Sequence, residues 1–410
     1  MNVSTQLDTP LTLTPSCSVK NRLFKSAMSE QLADGSNAPT LQLIRLYRTW
    51  ADGGTGLLVT GNVMIDRTAL GEPRNVVLDE QSDPELFKLW AAAGTRADTQ
   101  LWMQLNHPGK QIPKLINKEP VAPSAVPLGS GLEKAFNCPR ALTGEEIEEL
   151  IRKFTYAAGR AKDWGFTGVQ IHGAHGYLVN QFLSPHHNRR EDQWGGSLEN
   201  RMRFLREIYR AIRAEVGPDF PIGVKLNSAD FQRGGFTEEE SMEVIQILEA
   251  DGMDLIEVSG GNYENPSMVG AGAKQSTLQR EAYFLEYAEK AKKLLNIPLV
   301  VTGGFRSAEA MNNALASGAT DMIGVARPLA VEPDLANRLL NDDSYRLELK
   351  KLTTGLQMVD MMATLDVTWY EHQLALIGAG KQTRPDMSAW SSVFKTFRAL
   401  GAHAFQRRRA

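Results

Sequence analysis

Several features that mark other protein classes are missing from this 410-residue sequence. Its two cysteines, Cys17 and Cys138, are too few for a disulfide framework or a cysteine-ligated cluster. No uninterrupted apolar run approaches the length that spans a bilayer, and the N-terminal residues lack the pattern of a signal peptide. A formal net charge of −3 is too small to attract nucleic acid or a membrane surface. These absences predict a cytoplasmic protein without nucleic-acid or membrane partners.

A β-rich run followed by an amphipathic helical stretch recurs along most of the chain, whose 42% hydrophobic and 23% charged residues suit a globular core. The eight candidate strands are residues 22–28, 56–63, 99–105, 166–172, 221–227, 253–259, 298–304 and 320–326. Eight such units in succession predict a (β/α)8 barrel of parallel strands joined by helical crossovers. A doubly wound open sheet is the alternative, but no G-x-G-x-x-G follows the first strand.

Two of the intervening helices carry clear boundary signals. The spacing of a capping box occurs at Thr143–Glu146 and again at Thr237–Glu240. Gly165 and Gly252 follow the same two helical patterns, where a C-terminal cap is expected. We therefore expect each helix to begin directly after its threonine and to end near its glycine.

Two segments fall outside the repeat. Residues 106–142 contain six prolines and little periodicity, and a long loop at the C-terminal end of a strand is usually functional. Residues 345–410 follow the eighth unit, look partly helical and end in a basic tail that could be a packing arm, an oligomer contact or a frayed end. We therefore divide the chain into a barrel of residues 1–344, with an N-terminal capping segment, and a C-terminal extension of residues 345–410.

In a (β/α)8 barrel the reactive groups lie at the C-terminal ends of the strands. Gly303 and Gly304 follow the seventh candidate strand and allow a ligand to approach the backbone closely. Arg327 follows the eighth strand, and its guanidinium suits phosphate oxygens. Tight turns alone would explain the glycines, but together with Arg327 they indicate a site for a phosphorylated ligand.

Four of the seven histidines lie between residues 171 and 187. His172 and His175 follow the fourth strand at a spacing that metal sites also use, but a zinc site needs a further ligand and no HExxH is present. Core histidines would be unusual at a strand end that faces a barrel mouth. The remaining interpretation is a pair of donors aimed at a developing oxyanion. His186 and His187 come after a proline, where we expect them to cap or line a loop.

The stretch HGAHGYLVNQFLSPHHNRREDQWGGSLENRMRF resembles the Old Yellow Enzyme family of flavin-dependent ene-reductases. The resemblance continues at residues 20–28, at residues 104–110, and at the VTGGF and GVARP stretches. It covers roughly residues 10 to 340, with motifs in the right order at six or more strand ends. The H-x-x-H-x-Y form and the short first loop are more similar to the thermophilic-type branch of the family than to the yeast-type branch.

The resemblance implies a (β/α)8 barrel that binds FMN non-covalently at its C-terminal mouth and uses NADPH or NADH as reductant. It assigns the flavin contacts to Ala27, Met28, Ser29, Gly61, Gln104, Lys225, Gly303, Gly304, Ala326 and Arg327, the last four at the phosphate. It implies that His172 and His175 bind the substrate, that Gln31 lines the substrate wall, and that Tyr177 supplies a proton. It implies no metal, and it suggests a homo-oligomer, which we expect to be a dimer.

By this resemblance the reaction is the reduction of the C=C bond of an electron-poor alkene, an α,β-unsaturated carbonyl or nitro compound. Hydride passes from flavin N5 to the β-carbon while His172 and His175 stabilise the enolate-like charge on the oxygen. Tyr177, a phenol that stays protonated at neutral pH, protonates the α-carbon. Lys225 would stand near flavin N1, where a positive charge stabilises the reduced anion.

Three positions depart from the thermophilic-type pattern. Ser29 occupies the place of a redox-tuning cysteine, so the expected flavin potential changes. Gln31 replaces a tyrosine and alters the substrate wall. Lys225 replaces an arginine and presents a point charge in place of a planar fork.

Other FMN barrels are the alternatives within the same fold. Relatives that reduce dienoyl thioesters carry a cysteine-ligated iron–sulfur cluster after the barrel, and this chain has no cysteine beyond Cys138. Barrels of the dihydroorotate or dihydrouridine type lack the H-x-x-H pair. A flavin-binding protein without turnover and a phosphate-binding barrel isomerase without flavin are the two remaining alternatives.

Overall fold

The computed structural model describes residues 6–129, 131–265 and 284–407, with side chains to residue 398. Residues 1–5 and residues 408–410 lie outside the described residues, so the expectations about a signal peptide and about the end of the basic tail concern residues that are only partly described. Among the helices that are described, none is both long and apolar enough to cross a membrane.

Eight parallel strands form a closed barrel. They are β1 (Leu23–Lys25), β2 (Leu57–Val59), β3 (Gln100–Asn106), β4 (Gly168–Gly173), β5 (Ile222–Asn227), β6 (Leu255–Ser259), β7 (Leu299–Thr302) and β8 (Met322–Val325). Each strand pairs with the next one along the chain, and β8 pairs with β1 to close the ring. The predicted (β/α)8 barrel is therefore confirmed, and the open sheet is excluded because the ring leaves no edge.

The interior of the barrel is filled at one end by apolar side chains that the strands point inward. This cluster comprises Val19, Phe24, Leu57, Val59, Trp102, Leu255, Val300 and Met322. An antiparallel hairpin of Leu11–Thr14 and Cys17–Val19 packs against it through Leu11 and Leu13. The N-terminal segment thus caps the barrel, as the sequence predicted, and the opposite end is left for polar residues.

Helices surround the barrel and bury their apolar faces against it. They are α1 (Leu41–Asp52), α2 (Pro84–Gly94), α3 (Gly144–Asp163), α4 (Leu178–Leu183), α5 (Leu198–Val216), α6 (Glu238–Asp251), α7 (Leu285–Lys292), α8 (Ala308–Ala316), α9 (Arg327–Val331) and α10 (Leu335–Asn341). Both predicted capping boxes are present, at Thr143 before α3 and at Thr237 before α6. Helix α6 ends at the left-handed Gly252, and α3 ends two residues before Gly165.

The proline-rich segment 106–142 is largely irregular, as expected. It contains one short 3-10 turn, Leu132–Lys134, and a parallel pair formed by Val121–Ala122 and Arg140–Ala141. Its first residues, which include Lys110, are buried against the barrel. The segment therefore extends the barrel mouth and is not a solvated linker.

The C-terminal extension is partly helical, as predicted, and lies against the barrel. Its helices are α11 (Gln357–Met362), α12 (Leu365–Gly378) and α13 (Ala389–Arg407). Trp369 and Leu374 of α12 are buried in the same apolar core as α1 and α9. Gln42 of α1 donates its side-chain N–H to the carbonyl of Ala375 at 2.7 Å. Helix α12 thereby comes close to the loops that follow β1 and β8, while the proposed boundary at residue 344 remains a prediction.

Candidate active site

A tight turn after β4 brings three of the predicted site residues together. His175 adopts a left-handed backbone conformation with φ 61°, which a non-glycine residue rarely takes without support from its surroundings. Its backbone N–H donates to Oδ1 of Asn227 at 3.1 Å. The ring centroid of His172 lies 5.1 Å from that of His175 and 4.8 Å from that of Tyr177, both edge to face. The turn therefore presents two imidazoles and a phenol as one group.

Both imidazoles are held in the neutral form. Burial and then the nearby Lys225 ammonium lower the pKa of His172 and of His175 well below 6.5. The backbone N–H of Ala174 donates to Nδ1 of His172 at 3.3 Å, so the ring proton of His172 resides on Nε2. Nε2 of His175 lies 2.7 Å from the Ser259 hydroxyl, and a hydroxyl that donates there leaves the proton on Nδ1. The pair consists of neutral hydrogen-bond donors.

Tyr177 is paired with a second phenol that the sequence did not reveal. Its hydroxyl lies 3.0 Å from the hydroxyl of Tyr263, on the loop after β6. Burial is the first cause that raises the pKa of each phenol above 10. Both tyrosines are therefore protonated at neutral pH. An aromatic residue two positions after the strand-end glycines, in SGGNY, is the only signal that could have indicated Tyr263.

A buried polar chain crosses the barrel from β3 to β7. Nζ of Lys225 lies 3.0 Å from Oε1 of Glu257, a carboxylate with no exposure. Gln170 donates to Oε2 of Glu257 at 2.8 Å, and Gln104 donates to Gln170 at 2.7 Å. Thr302 of β7 donates to Glu257 from the other side at 2.7 Å. Glu257, which the sequence analysis did not select, thus forms an ion pair with Lys225 and fixes the orientation of the glutamines.

One acceptor at the end of this chain lacks a partner. Oε1 of Gln104 is buried and accepts no hydrogen bond from any described residue. A buried carbonyl of this kind costs about 1–3 kcal/mol unless a donor reaches it. Gln104 therefore presents a fixed acceptor that fits a ligand with an N–H group.

The residues predicted to form an anion subsite lie at the ends of β7 and β8, which are neighbours in the barrel. Gly303 and Gly304 have φ of 108° and 103°, a conformation that glycine adopts without strain. Ala326 and Arg327 follow β8, and the guanidinium of Arg327 lies 5.9 Å from the ring centroid of Tyr370 in α12. These residues occupy adjacent strand ends, and their role in binding phosphate stays a prediction.

The predicted flavin contacts after β1 and β2 also meet. Ala27, Met28 and Ser29 are partly buried beside Gly61. A Cβ on Gly61 would lie only 2.7 Å from the carbonyl oxygen of Met28, so the two loops require glycine at this position. Gln31 has φ 49°, and its side chain donates to Oε1 of Glu371 at 2.8 Å. The wall predicted at Gln31 is therefore completed by the C-terminal extension.

A second histidine pair lies on the same side of the barrel but serves other contacts. Nζ of Lys110 lies 2.8 Å from Nδ1 of His187, and Nε2 of His187 lies 3.7 Å from Oε2 of Glu264. The side chain of Gln232 contacts Nε2 of His186 at 3.3 Å. The ligand atoms of His186, His187 and Glu264 fall within 4.8 Å of one another, but the Lys110 ammonium already provides a cation there. His187 is buried and His186 is partly buried in this cluster, which joins the loop after α4 to the loop after β6.

Comparison with known proteins adds independent information. The family model of the NADH:flavin oxidoreductase / NADH oxidase family matches residues 6–344. The NADH-dependent flavin oxidoreductase iliE of Hypocrea jecorina is 37% identical over 356 residues, which cover 81% of this chain and 88% of that protein. A 2-naphthoyl-CoA reductase structure has a TM-score of 0.76 at 30% identity and is matched over 82% of this chain and 52% of its own length. A structure of morphinone reductase in complex with tetrahydroNAD has a TM-score of 0.70 at 26% identity, covering 84% of this chain and 92% of that one.

Proposed function

The chain belongs to the NADH:flavin oxidoreductase / NADH oxidase family, the family of the old yellow enzymes, and on this premise we propose that it reduces the C=C bond of activated alkenes. The substrates we propose are α,β-unsaturated carbonyl and nitro compounds. The protein is an oxidoreductase that uses FMN, with NAD(P)H as the reductant. The observation that carries the proposal is the neutral histidine pair beside Tyr177 at the end of β4.

The residues at the barrel mouth fit FMN. The unpartnered Oε1 of Gln104 suits the N–H of a flavin pyrimidine ring, and Lys225 places a positive charge close by. Gly303 and Gly304 keep the backbone open toward a phosphate, and Arg327 supplies a guanidinium at the neighbouring strand end. When bound, FMN supplies the two-electron chemistry that carries reducing equivalents from NAD(P)H to the alkene.

His172 and His175 bind the carbonyl or nitro oxygen of the substrate in this proposal. Because both imidazoles are neutral, they donate hydrogen bonds without adding charge to the ground state. Donors held in position by Ala174 and Ser259 need little rearrangement when negative charge develops on the oxygen. The pair therefore stabilises the charged state of the substrate more than its resting state.

Tyr177 supplies the proton at its phenolic oxygen. Its burial keeps the phenol protonated at neutral pH, so the proton is available on arrival of the substrate. The edge-to-face contact with His172 orients the ring toward the same site. Tyr263 accepts or donates at the same oxygen and stabilises the phenol while the substrate is absent.

Anaerobic turnover with a cyclic enone and NADH or NADPH tests the proposal. We expect loss of the enone C=C bond, one equivalent of NAD(P)H consumed for each alkene, and FMN as the flavin released by heat. A phenolic ligand should produce a long-wavelength charge-transfer band, because it occupies the place of the substrate oxygen. FMN binding without alkene reduction would favour another FMN-barrel reaction or a flavin-binding protein without this turnover, and release of FAD would contradict the cofactor assignment.

The expected homo-oligomer stays part of the proposal. Sedimentation velocity on the purified protein tests it directly, and a single monomeric species at micromolar concentration would contradict the dimer.

A further inference from the structure

The side chains of Glu72 and Glu371, which come from distant parts of the chain, meet at the hydroxyl of Ser29. The hydroxyl of Ser29 lies 2.5 Å from Oε2 of Glu72 and 2.6 Å from Oε1 of Glu371. Glu72 belongs to the loop after β2, and Glu371 belongs to α12 of the C-terminal extension. Since the family model ends at residue 344, Glu371 is a contribution that the extension makes to the site.

The number of protons at this contact is limited by the chemistry of serine. A hydroxyl has one proton to donate, so it can satisfy only one of two ionised carboxylates. The second oxygen, at hydrogen-bond distance from the same hydroxyl, must then bring a proton of its own. The three side chains therefore form one chain of hydrogen bonds that contains a carboxyl proton.

The surroundings indicate which carboxyl carries this proton. Gln31 donates to Oε1 of Glu371, which favours the ionised form of that carboxyl. Glu72 faces Glu371 and also the charge of Glu30, and its strongest hydrogen bond is the one to Ser29. Burial, followed by the charge of Glu72, raises the pKa of Glu371 to about 7. Despite the hydrogen bond from Gln31, the shared proton is held mainly at Glu371, because this carboxyl titrates beside an already ionised Glu72.

The acid pair and the two phenols occupy the same region of the site. The charge of Glu72 contributes to the raised pKa of both Tyr177 and Tyr263, and Glu371 acts on Tyr263 as well. These contributions indicate that the carboxyls and the phenols share a region of low dielectric constant. The geometry agrees, since Tyr177 hydrogen-bonds to the side chain of Asn62, and the neighbouring Gly61 lies against the carbonyl of Met28, which precedes Ser29. Tyr177 and Tyr263 are themselves joined at 3.0 Å.

We propose that Glu72, Ser29 and Glu371 hold the proton that restores Tyr177 after each alkene reduction, with Tyr263 as the second phenol on the route. The proposal rests on the proposed ene-reductase function. As Tyr177 protonates the α-carbon, its O–H bond breaks and a C–H bond forms. The phenolate then takes a proton from the acid pair through Tyr263, and the pair takes one proton from solvent. No electron moves in these steps, and the net transfer is one proton from solvent to the substrate.

Infrared spectroscopy of the whole protein tests whether the proton is present. We expect a carboxylic C=O band at pH 7 in the wild-type protein that is lost in Glu72→Gln and in Glu371→Gln, because either change leaves a single carboxyl with its donors. Asp366→Asn is the matched control, since Asp366 is exposed on the same helix. Identical spectra for the wild type and both glutamine variants would overturn the shared proton.

Rates of repeated turnover as a function of pH test the role of the proton, because Tyr177 must be reprotonated between turnovers. We expect multiple-turnover reduction of an enone to slow as the pH rises through about 7 in the wild type, where the pair loses its proton. In Glu371→Gln the inflection should move to lower pH, since Glu72 no longer faces a second negative charge. The rate at neutral pH should fall about tenfold, the scale of a modest loss in proton transfer.

The outcomes separate the two proposals. Reduction of the enzyme by NAD(P)H should be unchanged in the Asp366→Asn control. If the wild-type protein reduces no enone, the ene-reductase function is wrong. The infrared measurement still tests the shared carboxyl proton, because it does not depend on turnover. If the wild type reduces enones and Glu371→Gln keeps both the rate and the inflection, the acid pair does not supply the proton that restores Tyr177. A rate that falls equally at every pH would show that Glu371 only shapes the substrate wall. This result would also overturn the proposed role of the acid pair in restoring Tyr177.

Discussion

The two histidine pairs of this protein have nearly the same ring geometry and opposite surroundings. The ring centroids of His172 and His175 are 5.1 Å apart with an interplanar angle of 71°, and those of His186 and His187 are 4.8 Å apart at 82°. The first pair leaves Nε2 of His172 without a partner among the described residues. The second pair is engaged by Lys110, Glu264 and Gln232. The hydrogen-bond partners, and not the spacing or the ring contact, distinguish a binding group from a structural one.

The second pair ties two long segments together. Lys110 and the backbone N–H of Gly129 belong to the proline-rich segment, and the latter donates to Oε1 of Glu264 at 2.7 Å. His187 lies between Lys110 and Glu264 and links that segment to the loop after β6, which also carries Tyr263. In the proposed function the first pair binds the substrate, whereas the contacts of the second pair join two segments of the barrel mouth.

The largest effect is expected when the first pair is removed. In the double variant His172→Ala and His175→Ala, the oxidation of reduced enzyme by an enone should slow on the order of a hundredfold or more, because the donors to the developing charge are lost. FMN should remain bound, since its proposed contacts are on other strands. The variant His186→Ala serves as the control and should keep the rate within a factor of a few. Stopped flow measures both rates. An equal loss of rate in the double variant and in His186→Ala would show that the two histidine pairs do not differ in function.

The second pair should affect stability more than rate. His187→Ala should lower the free energy of unfolding by about 2 kcal/mol, because the buried ends of Lys110 and Glu264 lose a polar neighbour. His172→Ala should lower it by less, since its Nε2 has no hydrogen-bond partner to lose among the described residues. Urea unfolding followed by circular dichroism measures both values. A greater loss of stability for His172→Ala would reverse the assignment of the two pairs.

Ser259 offers a way to change the first pair without removing an imidazole. In Ser259→Ala, Nε2 of His175 loses its hydroxyl partner, so the proton no longer has a preferred nitrogen. We expect the oxidation of reduced enzyme by an enone to slow about tenfold, the equivalent of one hydrogen bond of about 1.4 kcal/mol. Ser259→Thr keeps the hydroxyl and should retain most of the rate. A threonine variant as slow as the alanine variant would indicate a packing effect.

The smallest effect concerns Lys110, whose ammonium contacts His187 of the second histidine pair. Burial lowers the pKa of Lys110 from 10.5 to about 8. Between these two pH values the unfolded chain binds more protons than the folded chain, so the free energy of unfolding should increase with pH. We expect an increase of roughly 1 kcal/mol after allowing for solvent screening. Urea unfolding at pH 8 and pH 10.5 should show this increase in the wild type and not in Lys110→Met, and parallel curves for the two proteins would refute it.

Much of the fold was determined by local patterns in the sequence. Eight repeats of a strand followed by a helix require parallel pairing, and short connections leave a closed barrel as the compact solution. The threonine and glutamate spacings placed the starts of α3 and α6 because capping depends on residues three apart. The strand-end motifs identified His172, His175, Tyr177, Gly303 and Gly304 because the C-terminal ends of parallel strands meet at one mouth. The first strand is shorter than predicted: it covers Leu23–Lys25, and the backbone N–H of Ser26 still donates to the carbonyl of Val325 in β8 at 2.9 Å.

Only the tertiary structure decided which side chains complete the site. Ser29 and Glu371 are 342 residues apart, and no local pattern marks Glu72, Glu257 or Glu371 as part of the site. The sequence could not show whether His187 is free to bind a ligand or is held by other side chains. Its contacts with Lys110 and Glu264, which lie on other loops, decided this. Sequence spacing governs the elements because hydrogen bonds within a helix or between neighbouring strands repeat over short distances. Protonation and hydrogen-bond partners depend on burial and on charges within a few ångströms, and those neighbours are set only when the distant segments pack together.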